Sequence, residues 1–95
     1  MKMVLMVADA SRLDAVRADL AALGAPGYTV VGVAEGHGRT GVHDASRVHP
    51  GALALIMAVD EDARAASLFE SLAARRDARG DDLSRLFLVP VERQA

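Results

Sequence analysis

The residues able to do chemistry gather in one stretch, Glu35–Gly51, "EGHGRTGVHDASRVHPG". Its seventeen residues hold all three histidines (His37, His43 and His49), four of the eight glycines, and the cations Arg39 and Arg47. Gly36-His37-Gly38-Arg39-Thr40-Gly41 fits the pattern G-x-G-x-x-G, in which glycines let backbone N–H groups approach a pyrophosphate. A dinucleotide-binding unit needs a helix directly after that motif, and only Val42–His49, about two turns, stands before Pro50. The milder chemistry is an anion held by backbone N–H groups, with Arg39 adding charge. The plainest reading is a loop that uses its glycines for turns.

His37, His43 and His49 recur every six residues, with Asp44 beside them, and imidazoles with a carboxylate suit zinc or copper. The spacing matches no i, i+4 helix pair and no zinc-finger pattern, so solvated side chains are the commoner outcome. Ser11, His37 and Asp44 can be written as a Ser-His-Asp set, but nothing in the sequence brings them together, and Ser11 is explained as a helix cap. No nucleophile–base pair is evident, so no enzymatic activity is expected. Arg75, Arg76, Arg79 and Arg85 flank Gly80. They either complement a helix C-terminus or form a phosphate-binding turn, for which the guanidinium fork is well shaped.

The elements that must carry these residues are legible. Lys2–Ala8 is a continuous apolar run, read as a buried strand. Ser11 opens a helix as N-cap, with Asp14 three residues on. Leu13, Val16, Leu20 and Leu23 form its apolar stripe, with Arg12, Arg17 and Asp19 off it. Gly24 ends it and Pro26-Gly27 prevents continuation. Tyr28–Ala34 is a β-branched second strand. Ala52–Val59 is the most apolar strand. Asp60 stands where an N-cap belongs, and Ala65, Leu68, Phe69 and Leu72 make the buried face of a second helix, which Gly80 ends. Leu86–Val91 is the last strand, placed at an edge because Pro90 lacks an N–H.

The order β-α-β-β-α-β predicts an α+β, ferredoxin-like fold over residues 1–95 as one domain. Its four-stranded antiparallel sheet has order 4-1-3-2, with both helices on one face. No segment remains for the other face, so an apolar bare face predicts burial against further copies. Composition agrees. Nineteen of the 95 residues are alanine, and two Phe, one Tyr and no Trp supply little bulk, so the core is thin. The net charge of −2 supplies no basic field for nucleic acid. The absence of cysteine excludes disulfides and thiolate metal sites. Met1–Ala8 is too short for a secretory signal and no run reaches membrane-span length, so a cytoplasmic protein is expected.

With these elements in order, the chain resembles the PII signal-transduction family and its shorter PII-like relatives over nearly its whole length. "SRLDAVRADLAALG" resembles that family's first helix, with its K-L-D-x-V phrase. "GYTVVGVAEGHGRTG" is similar to its second strand and loop base, roughly G-M-T-V-x-x-V-x-G-x-G-R-Q-x-G. "LFLVPVE" is similar to its last strand, I-F-V-x-P-V-E. The resemblance implies a homotrimer with inward-facing sheets and nucleotide sites in the clefts between subunits. It makes Glu35–Gly51 the target-touching T-loop and Arg79–Leu86 the phosphate-holding B-loop. Thr29 then matches a position near the adenine. Gly36, Gly38 and Arg39 match the base of the T-loop, Gly80 a B-loop glycine, and Arg85 the Lys before the last strand. The departures are a shorter T-loop without its uridylylated tyrosine, Thr40 in place of a Gln, and Asp82 in place of a B-loop glycine. They imply an altered ligand set rather than standard sensing of ATP, ADP and 2-oxoglutarate.

The leading expectation is a non-enzymatic regulator that binds a small anionic effector, an adenine nucleotide such as ATP, ADP or AMP. It would act on a transporter or enzyme through the tip of the loop, at Val42, His43, Asp44 and Arg47. Contact with a membrane would then come only through such a target. The alternatives are a metal-responsive, CutA-like trimer using the loop histidines, and an interaction module without a ligand.

Overall fold

The computed structural model describes residues 1–25, 27–33, 35–38, 41–44 and 52–95. Four strands form one antiparallel sheet: β1 (Lys2–Asp9), β2 (Thr29–Val33), β5 (Leu53–Asp60) and β6 (Arg85–Pro90), in the order β2-β5-β1-β6. Helix α1 spans Leu13–Ala22 and helix α2 spans Asp62–Ala78. This is the order expected from the sequence. The two most uniformly apolar strands, β1 and β5, lie inside and pair from Lys2↔Asp60 to Asp9↔Leu53. Pro90 falls on the edge strand β6, where its missing N–H costs no ladder bond.

Alternate residues of the central strands face the helices. Val4, Met6 and Ala8 of β1 and Ala54 and Ile56 of β5 form one buried cluster with Val16 and Leu20 of α1 and Ala65 and Leu72 of α2. Four of these nine core residues are Ala or Met, and Leu13, Leu23, Leu68 and Phe69 only partly cover the cluster's margin. The intervening residues point to the other face. The register stacks Met3 with Val59 and Val89, Leu5 with Met57 and Phe87, and Val7 with Leu55. Thr29 and Val31 of β2 continue the rows of Met57 and Leu55. None of these residues is buried, and Val31, Val59 and Phe87 are 41%, 40% and 48% exposed. An apolar sheet face therefore stands uncovered among the described residues.

Three local expectations are corrected. Ser11 is not the first cap: Asp9 is, its carboxylate accepting from Ser11 N–H at 2.9 Å and from the Ser11 hydroxyl at 2.7 Å. Asp9 lies at the end of β1, so the chain turns into the single 3-10 turn Ala10–Arg12 two residues earlier than read. Asp60 ends β5 rather than capping α2. Glu61 is the N-cap, and Asp60 accepts from its N–H at 2.8 Å. Within 35–51, read as a loop throughout, a second two-stranded sheet pairs β3 (Glu35–Gly38) with β4 (Gly41–Asp44).

Both helices end as their glycines suggest. At α2, Gly80 N–H bonds to the Asp77 carbonyl and Asp81 N–H to the Arg76 carbonyl, the Schellman pattern, with Gly80 at φ +71°. Open space surrounds the position a Gly80 Cβ would take, so only the backbone resists substitution. Gly80→Ala is expected to lower unfolding free energy by about 1–2 kcal/mol, and Gly80→Asn by less, as read by urea denaturation.

Candidate functional site

The turn from α2 into β6, residues 80–84, is organised by one carboxylate. Asp81 is 3% exposed and Ser84 fully buried. Asp81 Oδ1 accepts from Leu83 N–H and Ser84 N–H, each at 3.2 Å, and Oδ2 accepts from the Ser84 hydroxyl. Burial works to raise the Asp81 carboxyl. The bonds from the Ser84 hydroxyl, Ser84 N–H and Leu83 N–H, with the nearby Arg12 charge, outweigh it and hold the group below its ordinary 3.8. Four of the turn's backbone donors, Gly80, Asp81, Leu83 and Ser84 N–H, are thus occupied from within.

The four arginines flanking Gly80 divide. Arg75 and Arg79 both bind Asp19 of α1, Arg75 Nη1 at 3.2 Å from Oδ1 and Arg79 Nη2 on Oδ2. Asp19, read from its spacing as lying off the apolar stripe, is 8% exposed. It is buried because two guanidiniums meet it, which helical periodicity cannot reveal. Arg79 Nη1 is buried without a hydrogen-bond partner among the described residues. Arg76 pairs with Asp77 at 3.0 Å and reaches the Ser84 carbonyl at 3.5 Å. Arg85 differs. It is exposed, and its Nη1 donates to the carbonyls of Asp82 at 2.8 Å and Ser84 at 3.1 Å. Among the described residues it meets only neutral acceptors. The cluster is therefore a helix–helix clamp in part and a candidate anion site only around Arg85.

Of the other residues singled out, Thr29 is exposed on edge strand β2. Arg85 begins the opposite edge strand, with β5 and β1 between them. Three strand spacings put ~14 Å between those edges, so one copy of the chain does not bring Thr29 and Arg85 together. Gly36 and Gly38 lie in β3, with Gly36 opposite His43 and Gly38 opposite Gly41. His37 stands opposite Val42, so the register does not pair the two histidines. Val42, His43 and Asp44 are in β4. Arg39, Arg47 and His49 lie outside the described residues. Among the described residues, no group of three His, Cys, Asp or Glu could hold a metal ion, and no helix is long and apolar enough to cross a membrane.

Two features joining this site to the rest of the fold escaped sequence reasoning: the Asp19 clamp and the inward turn of Asp81. The second had a signal, since Asp followed by Ser three residues on is a capping pattern. Asp81→Ala orphans the Leu83 and Ser84 donors. It is expected to lower unfolding free energy by about 1–3 kcal/mol at pH 7. Because the folded-state carboxyl lies below its unfolded value, its contribution is complete above that value and is lost as pH falls through the folded one. Urea unfolding at pH 7 and near pH 3 should show the deficit of the variant shrinking at the lower pH.

The model of the family described as nitrogen regulatory protein P-II matches residues 1–94. No curated protein matches the chain in sequence. Among solved structures, CPII from Thiomonas intermedia K12, a nitrogen regulatory PII-like protein bound to ADP, AMP and bicarbonate, has a TM-score of 0.69 at 20% identity, covering 93% of this chain and 88% of that one. A second structure of CPII with the same ligands gives 0.68 at 21% identity, covering 97% and 88%. A DUF3240 family protein from Shewanella baltica OS155 gives 0.72 at 17% identity, covering 99% and 92%. At these identities the structures speak for the fold, and the match over residues 1–94 speaks for descent: the chain belongs to the nitrogen regulatory protein P-II family.

Proposed function

We propose that the chain is a non-enzymatic PII-like regulator. It assembles as a homotrimer through the bare sheet face, binds an adenine nucleotide or a related small anion in the cleft between copies, and acts on a partner protein through residues 35–51. The observation that carries this reading is the uncovered apolar face built from Leu5, Leu55, Met57, Phe87 and their neighbours. A face of this kind on a 10.0 kDa chain is an interaction surface.

The placement of the site residues supports the cleft. Thr29 and Arg85 occupy opposite edges of one sheet, so a ligand that touches both must take them from two copies. Val33, at the end of β2, shares its row with Leu53 and Asp9, two residues beyond the row of Val7 and Arg85. Segment 35–51 therefore starts level with the Gly80–Arg85 turn. A ligand resting there, on Gly36, Gly38, Arg39, Gly80 and Arg85, meets the frame and the arm together. That CPII, of similar fold, is bound to ADP, AMP and bicarbonate favours adenine nucleotides as the class to try. The metal reading has no comparable support: the register separates His37 from His43. The reading also places the protein in the cytoplasm, where its nucleotide ligands and protein targets are.

Two measurements test this. Sedimentation should give about 30 kDa for the wild type, three copies of 10.0 kDa, and about 10 kDa for Phe87→Glu, since a carboxylate on the buried face of an interface costs several kcal/mol. A wild type of 10 kDa refutes the assembly. Calorimetry with ATP, ADP, AMP and cyclic AMP should find binding. Arg85→Ala and Arg39→Ala should each weaken it by about 1–3 kcal/mol, roughly fivefold to a hundredfold. Silence from all four nucleotides at millimolar concentration refutes nucleotide sensing.

A further inference from the structure

We propose that the cleft between the end of α1 and the first half of α2 binds a free amino acid with an aliphatic side chain, held as its zwitterion. The cleft measures about 230 Å³, below the ~300–1,000 Å³ of drug-sized sites, which suits a small metabolite. It lies away from the nucleotide site proposed above and stands whether or not nucleotides bind. Segment 35–51 starts at the end of the sheet where Val33, Leu53 and Asp9 share a row. The cleft is lined by Asp60, at the other end of β5. From Leu53 to Asp60 is seven steps of strand, ~23 Å.

The lining carries both signs of charge. Arg64, Ser67, Leu68 and Ser71 are spaced to share one face of α2. The end of α1 supplies the other wall. There Leu23, Gly24 and Ala25 N–H bond to the carbonyls of Asp19, Ala21 and Leu20. The carbonyls that follow accept no helical bond and stand at the negative end of the helix dipole. Asp60 and Arg64 meet only loosely, Arg64 Nη1 lying 4.0 Å from Oδ1 with its side chain 76% exposed. A tight guanidinium–carboxylate pair closes to ~2.8 Å, so both groups keep bonding capacity for a ligand. A bare metal cation would meet one carboxylate beside Arg64 and Lys2, the ladder partner of Asp60. A bare anion would meet Asp60 and the α1 carbonyls. A zwitterion answers both, its ammonium to Asp60 and the α1 carbonyls, its carboxylate to Arg64 and the hydroxyls of Ser67 and Ser71. Leu23 and Leu68 also line the cleft and give an aliphatic side chain apolar surface to cover.

Calorimetry tests this with leucine, glycine, isocaproate (leucine without its ammonium) and isoamylamine (leucine without its carboxylate), on the wild type, Asp60→Asn and Arg64→Gln. Asparagine keeps an acceptor for Glu61 N–H, and Arg64 is exposed, so both variants should fold, which urea unfolding verifies. The wild type should bind leucine at millimolar concentration. Isocaproate and isoamylamine should each bind at least about tenfold more weakly for want of one charge. Glycine should do the same for want of the side chain. Each variant should weaken leucine roughly tenfold to a hundredfold. Silence toward leucine at millimolar concentration overturns the proposal and leaves nucleotide sensing intact. Equal binding of leucine and any of the other three compounds also overturns it, as does unchanged leucine affinity in either variant.

Discussion

The pairing of β1 with β5 is the constraint on which the rest depends. These strands are apolar on both faces, and their register sends Val4, Met6, Ala8, Ala54 and Ile56 to one side and Leu5, Val7, Leu55 and Met57 to the other. Both α-helices of the described residues pack on the first side. Among the described residues nothing buries the second side. At ~25 cal/mol per Å² of apolar area, a face of nine apolar side chains, Met3, Leu5, Val7, Val31, Leu55, Met57, Val59, Phe87 and Val89, is a large stabilisation to leave in water, most of all for a core rich in alanine. On the proposed reading, folding buries one side of the sheet and assembly the other.

Charge is distributed by the same economy of elements. The thin α1–α2 contact is reinforced by Asp19, which draws in Arg75 and Arg79. A buried carboxylate between two guanidiniums is stable only as a set, because removing one member strands charge in a low-dielectric interface. The clamp therefore holds the last turn of α2, and with it Gly80 and the start of the site. It also withdraws two cations from that site. A corner that reads from sequence as strongly basic is thus largely balanced by Asp19 and Asp77, and Arg85 meets only neutral acceptors among the described residues.

The architecture was legible because it rests on local signals. The continuous apolar runs placed β1 and β5 centrally, Pro90 marked an edge, and Gly24 and Gly80 ended their helices at positive φ. Long-range polar contacts were not legible. Asp19 lies 56 and 60 residues from the arginines that bury it, and by period alone it falls on a solvent face. The β3–β4 pair was hidden for a different reason: Gly, Asp and Glu are poor strand formers, and Thr40 and Val42 alone do not make a strand pattern in Glu35–Asp44. The Ser11 cap was displaced because Asp9, two residues earlier and read as just outside the strand, carries a charged acceptor that takes both Ser11 N–H and the Ser11 hydroxyl. The expected strand order already put strands two and four at opposite edges, and Thr29 and Arg85 stand there.

That separation bears on how the proposed regulator would signal. A site confined to one copy could change the arm while leaving assembly untouched. A site that takes Thr29 from one copy and Arg85 from another binds only the assembled form, so the ligand stabilises the assembly by mass action as it fills. The arm can then respond only to the extent that the ligand contacts it differently in its two states. Gly36 and Gly38 suit this role, since glycine allows a ligand close to the backbone and adds no side chain of its own to either state. Specificity must then come from the rigid partner in the contact. In the proposed regulator that partner is the Gly80–Arg85 turn, in which Asp81 holds Leu83 N–H and Ser84 N–H and Arg85 stands exposed. On that reading the frame discriminates between ligands, and the arm reports that one is bound.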